Sequence, residues 1–280
     1  MRYAGVLQRL GICYGIAAVL YLFLKVRGIV VLSVFLLVGY YFLLLLVPAP
    51  GIPAGDITMK DSLAVYVDRV VLKEALGGKV YYGFGDNEGV LSTIPAVVTA
   101  LIGVLAGCWL LRPSSKLQKF LGLVWAGLIM LAIGGCWSGF FTDMNNLHDR
   151  LPLFPVIKIL WTSTYVLWAG GWSVLLLALF YGVIDCLNLR AWSWPFVFIG
   201  ANALTIYLIE HFNNFSPLSN RFFGGIARVT ATWLHPLSEG DPTQKVLQGL
   251  MTTAILLTGA LFLKWLLTWF MYRNRIFIRV

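Results

Sequence analysis

The 280-residue chain is 59% hydrophobic and 15% aromatic but only 12% charged, about half the charged share of an ordinary soluble domain. That excludes a soluble globular protein. A net charge of +9 does not point to nucleic acid either, because the basic residues flank apolar runs instead of gathering on one face.

A hydrocarbon core about 30 Å thick needs roughly 20 helical residues to cross it, and backbone groups in lipid must be satisfied within the helix. Apolar runs of that length predict spans at 4 to 24, 29 to 47, 89 to 111, 120 to 140, 159 to 183, 194 to 212 and 247 to 271. The expected fold is all-α, a polytopic membrane helical bundle of about seven transmembrane helices, with residues 1–280 as one integral-membrane domain. The first span begins almost at Met1, contains Gln8 and Arg9 and lacks a small-residue cleavage site, so it is expected to stay in the protein. Gly11 with Gly15, and Gly103 with Gly107, have the small-xxx-small spacing that lets helices approach closely. Cys13, Cys108, Cys136 and Cys186 show no CxxC spacing and lie within or beside apolar runs, so small buried hydrophobes are expected, not a metal site or disulfides.

Arg9 lies about one and a half turns into the first span, where a charge must be paired or meet water. It either points into the bundle or snorkels to the headgroups. In the loop 48–88, Pro48, Pro50, Gly51, Pro53 and Gly55 break the chain, and Leu63, Val67, Val70 and Val71 then recur at helical spacing, which predicts a short interfacial helix. Asp86, Asn87 and Glu88 lead directly into the third span. Carboxylates there complement the helix dipole, or Glu88 pairs with Arg9 or an ammonium group.

Trp161, Thr162, Ser163 and Tyr165 open the fifth span after Pro152, Pro155 and Lys158. Aromatic residues at that depth form an interfacial belt, or they stack against a sugar. In the sixth span Asn202 lies deep in the apolar region, as interhelical glue or a ligand contact. Glu210 and His211 lie at its outer end, and His211 is the weak candidate for a general base. His148 and His235 fall in loops. The connections holding Lys25, Arg27, Arg112, Lys116, Lys119, Asp185 and Arg190 are compact and basic, whereas loops 48–88, 141–158 and 213–246 are longer and mixed. The positive-inside rule puts the basic connections and the C-terminus in the cytoplasm; if the host is bacterial, the membrane is the plasma (inner) membrane.

Six segments then carry a resemblance: GVLQRLGICY (5–14), YVDRVVL (66–72), DNEGVLSTIP (86–95), KILWTSTY (158–165), GANALTIY (200–207) and RNRIFIRV (273–280). In order and spacing they resemble the heparan-alpha-glucosaminide N-acetyltransferase family. The resemblance implies a multi-pass acyltransferase moving acetyl from cytoplasmic acetyl-CoA, as co-substrate, to the amine of a glucosamine-type sugar outside. No metal or nucleic acid is implied, and a homo-oligomer is left open. Gln8, Arg9, Asp86, Glu88, Trp161, Asn202 and Glu210 are the expected substrate or acetyl-CoA contacts.

The family carries about three further spans ahead of the first segment, with the histidine implicated in acetyl transfer between two of them, so that role matches no position here. A truncated reading frame, inactive or not, is the expectation this raises. Asn87 stands where the family usually has proline. An amino-sugar transporter and a non-catalytic membrane subunit are the alternatives.

Overall fold

The computed structural model describes residues 3–139, 154–212, 215–234 and 242–277, the side chains at 210–212, 242 and 244 excepted. It is helical, with no strand among the described residues beyond one bridge, Ala49 with Ile52. Among the described residues, six helices are long and apolar enough to cross a membrane, and a bent pair raises the number to seven.

The chain forms two compact units. The first, Met1–Leu187, contains α1 (Val6–Phe23), α2 (Val26–Leu46), the short α3 (Leu63–Asp68), α4 (Thr93–Leu111), α5 (Lys116–Ser138) and α6 (Ser163–Tyr181). Local chemistry sets their ends. Ser115 and Gln118 form a capping box on α5, and Thr162 caps α6 by accepting from the Tyr165 N–H, each satisfying donors that the first turn leaves open. The predicted helix in the long loop forms as α3 and continues as a π-helical turn, Arg69–Ala75. Ala64, Asp68 and Leu72 are all buried, so the segment packs on the bundle with an acid on its inner row.

Hydrogen bonds fix which helix ends lie together. Tyr40 donates to the Leu160 carbonyl and Ser163 to the Leu37 carbonyl, joining the end of α2 to the start of α6. Trp109 donates to the Lys119 carbonyl and Lys116 to the Asp185 carbonyl, joining the end of α4, the start of α5 and the end of α6. One end of the unit therefore carries the long loop and Arg9, and the other carries compact basic connections.

The tightest seam is between α5 and α6. A Cβ on Gly127 would lie 3.0 Å from the Gly171 carbonyl oxygen, and one on Gly171 would lie 3.0 Å from that of Gly127. Gly11, Gly15, Gly103 and Gly107, the pairs singled out by spacing, meet nothing within 4 Å. Small residues permit close approach but do not choose the partner. Cys13 is buried as expected, whereas Cys136 is exposed on α5.

The second unit, Asn188–Val280, holds α7 (Trp194–Ala201), α8 (Ala203–Phe212), α9 (Phe215–Leu234) and α10 (Pro242–Arg273). The sixth predicted span is broken: its two parts bend by 55°, with Asn202 at the break in a non-helical conformation. A correction also falls on the loop 213–246, which contains the 20-residue α9. Its arginines and hydroxyl residues keep it from reading as a span, yet Ser219, Gly224, Ala227 and Ala231 form a buried small-residue row. Ser219 donates to the Leu256 carbonyl of α10 at 2.6 Å, and Trp265 of α10 donates to the Pro195 carbonyl of α7 at 3.2 Å.

Candidate functional site

Arg9 is placed by the first turn of α1, where its backbone N–H donates to the Gly5 carbonyl. The side chain is 7% exposed. It points at the start of α4: Nη1 donates to the Asn87 carbonyl at 2.7 Å and Nη2 to Ser92 Oγ at 2.6 Å. Its guanidinium lies 4.4 Å from the Trp161 ring centroid, a cation–π contact in a desolvated setting. Nε has no hydrogen-bond partner.

Trp161 adopts φ 51°, the left-handed region rare for a bulky residue, and its indole N–H donates to Thr99 Oγ1 of α4 at 3.1 Å. The ring is turned inward beneath Arg9 and is not simply part of an interfacial belt.

The loop that presents Asn87 is clamped by two carboxylates. Asp68 accepts from the Val90 N–H at 2.8 Å and the Asp86 N–H at 3.4 Å. Asp86 accepts from the Tyr81 N–H at 3.0 Å and the Glu88 N–H at 3.2 Å. They are 4% and 1% exposed. Gly89 packs directly against the Asp68 carboxylate, so a Cβ there would have to push the carboxylate off its backbone partners. Burial pushes the Asp68 pKa up to about 6 and the Asp86 charge adds to the rise, against the two backbone N–H groups and Arg9.

Two cavities follow. One of about 260 Å³ is lined by Arg9, Cys13, Glu88, Thr99, Ala100 and Trp161, among others. The second, about 470 Å³, runs between α1 and α4 past Tyr14 to Tyr21, Cys108 and Leu111. They share Leu10, Cys13 and Ala100, so the two adjoin along α1 and α4, one toward the Arg9 end and the other toward the basic end. Arg112 there lies 5.2 Å from the Trp109 ring.

Of the residues expected from sequence, the structure brings Arg9, Asp86, Glu88 and Trp161 into one site. Gln8 is exposed on a neighbouring face of α1. Asn202 belongs to the second unit and is fully buried. Neither of its amide atoms, nor the Thr205 hydroxyl one turn later, has a hydrogen-bond partner. The Glu210 and His211 side chains, His148 and His235 lie outside the described residues. Sequence reasoning missed Asp68, Ser92 and Thr99. For Asp68 the signal was present: an acid in the row Ala64, Asp68, Leu72 at i, i+4, i+8.

No family model matches the chain. Human heparan-alpha-glucosaminide N-acetyltransferase is 27% identical over 260 residues, covering 78% of this chain and 38% of that protein. The mouse protein of the same name is 25% identical over 253 residues, covering 74% and 37%. The chain spans under two fifths of the length of the curated relatives it matches. The protein is thus a polytopic helical membrane protein, similar over about three quarters of its length to the heparan-alpha-glucosaminide N-acetyltransferases of human and mouse.

Proposed function

We propose that this chain is part of a membrane N-acetyltransferase that takes acetyl from acetyl-CoA at its basic, cytoplasmic end and gives it to the amine of a glucosamine-type sugar at its loop-rich, outer end. The observation that carries this reading is the pair of adjoining cavities along α1 and α4, which together run from Arg9, Glu88 and Trp161 to Leu111, the neighbour of Arg112. A long apolar groove suits the thin pantetheine arm of a thioester donor. Lys25, Arg27, Arg112 and Lys119 supply positive charge for the CoA phosphates.

The chemistry has two requirements. The sugar ammonium must lose a proton before its nitrogen attacks the thioester carbon, and the oxygen that gains charge must be stabilised until the C–S bond breaks and CoA leaves as the thiol. Glu88, lining the outer cavity, holds the ammonium. The Arg9 cation, fixed by Asn87, Ser92 and Trp161, supplies a preorganised positive field beside the reacting carbonyl. No residue of this chain is assigned as the base.

The break in the sixth span supports a second reading, since discontinuous helices bind substrate in many transporters. Incubating membranes that contain the protein with labelled acetyl-CoA and methyl glucosaminide separates the two. Label on the sugar, lost in Arg9→Gln, supports transfer. Uptake of unmodified sugar with no acetylation sinks it in favour of transport.

A further inference from the structure

Trp161 is the aromatic residue that sequence position offers as a sugar-stacking surface, but in the folded chain it lies against the Arg9 guanidinium and is pinned to Thr99. A different set of rings sits on the loop that Asp86 ties to Glu88. The loop Tyr81–Gly85 turns sharply, with the Tyr82 N–H donating to the Gly85 carbonyl at 3.1 Å and Gly83 at φ 78°, a conformation natural to glycine. Tyr82 and Phe84 stack at 5.4 Å between centroids and 12° between planes, and Tyr81 meets Tyr82 edge-on at 4.8 Å. Tyr81 is 61% exposed and Tyr82 40%.

Large aromatic surface on a loop outside the spans costs hydration free energy, and the backbone that carries this cluster is anchored by hydrogen bonds. Asp86, buried behind it, accepts from the Tyr81 N–H on one carboxylate oxygen and from the Glu88 N–H on the other. The ring cluster and the acid that lines the outer cavity are therefore carried by the same carboxylate.

We propose that Tyr81 and Tyr82 form a stacking platform for the pyranose ring of an amino sugar, positioning its ammonium toward Glu88. The proposal deepens the acetyl-acceptor reading above and rests on it for the sugar class. A pyranose presents a face of C–H groups that packs on an aromatic ring, while its hydroxyls stay in water. The rigid two-χ side chains lose little entropy on binding. Phe84, stacked on Tyr82, fixes the ring orientation.

The test uses the full chain in lipid nanodiscs, with methyl glucosaminide and ethanolamine as probes. Tyr81→Ala and Tyr82→Ala are expected to weaken methyl glucosaminide binding about fivefold to tenfold each. Ethanolamine, an ammonium without a ring, should bind unchanged. Tyr82→Trp should restore the sugar, and saturation-transfer NMR should run from aromatic to sugar-ring protons in the parent protein. Tyr81→Ala leaves both partners of the Tyr82–Phe84 stack in the chain, and a general folding defect would weaken ethanolamine together with the sugar.

Equal loss of both probes, or unchanged sugar affinity with the tyrosines quenched by brominated lipid, would overturn the platform. Sugar binding that depends on the tyrosines without acetylation would leave the platform standing and refute the transferase. Acetylation indifferent to both tyrosines would do the reverse.

Discussion

Asp68 shows how one buried carboxyl organises a site without facing the substrate. Its two accepted backbone hydrogen bonds and the glycine packed against it hold the 86–90 loop, and that loop gives Arg9 its carbonyl partner. Because its folded pKa is raised to about 6, the folded protein binds more protons than the unfolded chain between about pH 4 and 6. Its contribution is therefore fully present below about pH 4 and lost as pH rises through 6. Across that window the parent protein should lose about 3 kcal/mol of stability from this group, and Asp68→Asn should remove that component. Thermal unfolding of both proteins from pH 4 to 7 checks it; parallel curves would refute the assignment. The acid was visible in the sequence as an oddity in an apolar row, but its partners were not. Asp86 and Val90 reach it through backbone N–H groups, which carry no residue-type signature.

At the scale of elements, span positions were legible because apolar runs of membrane length leave few alternatives. Each predicted span has a matching helix or bent helix pair, with ends displaced by a few residues. What sequence did not disclose was which glycines pack, because spacing describes one helix and a seam needs two. The α5–α6 seam depends on Gly127 and Gly171, each 3.0 Å from the other's carbonyl at its would-be Cβ. Gly171→Leu should destabilise the first unit by about 1–3 kcal/mol through overpacking, while Gly103→Leu, with open space around it, should have little effect. Comparing their unfolding midpoints decides the point.

The broken span is the second case where the element departs from its pattern. Ser33, Ser173, Thr253 and Thr258 all donate to the carbonyl four residues earlier, whereas the Thr205 hydroxyl, just past the break, bonds nothing. The Asn202 amide is fully buried beside it with no partner. An unmet buried amide costs about 1–3 kcal/mol, so Asn202→Leu, close in volume, should raise the unfolding temperature. A drop would mean that the amide holds the break together, and would refute its reading as an unmet polar group.

For the molecule as a whole, the question is whether the groove along α1 and α4 is the route by which the two ends communicate. Its upper part meets Arg9, Glu88 and Trp161, its lower part reaches Tyr21 and Leu111, and Gly107 lines it with nothing within 4 Å of its would-be Cβ. A side chain introduced there has room to enter the groove without straining α4, so the substitution tests occupancy of the groove more than it tests stability. Gly107→Trp, which places an indole across the 470 Å³ lower cavity, should raise the KM for acetyl-CoA by tenfold or more, since about 1.4 kcal/mol of lost binding is enough. Methyl glucosaminide binding at the loop-rich end should not change, because Gly107 lies about two turns along α4 from Ala100, where the upper cavity begins, and the aromatic loop lies beyond the start of that helix. If both ligands weaken together, α1 and α4 have moved as a body and the groove is packing space. If acetyl-CoA is unaffected, the donor enters elsewhere and the two ends are not joined along these helices.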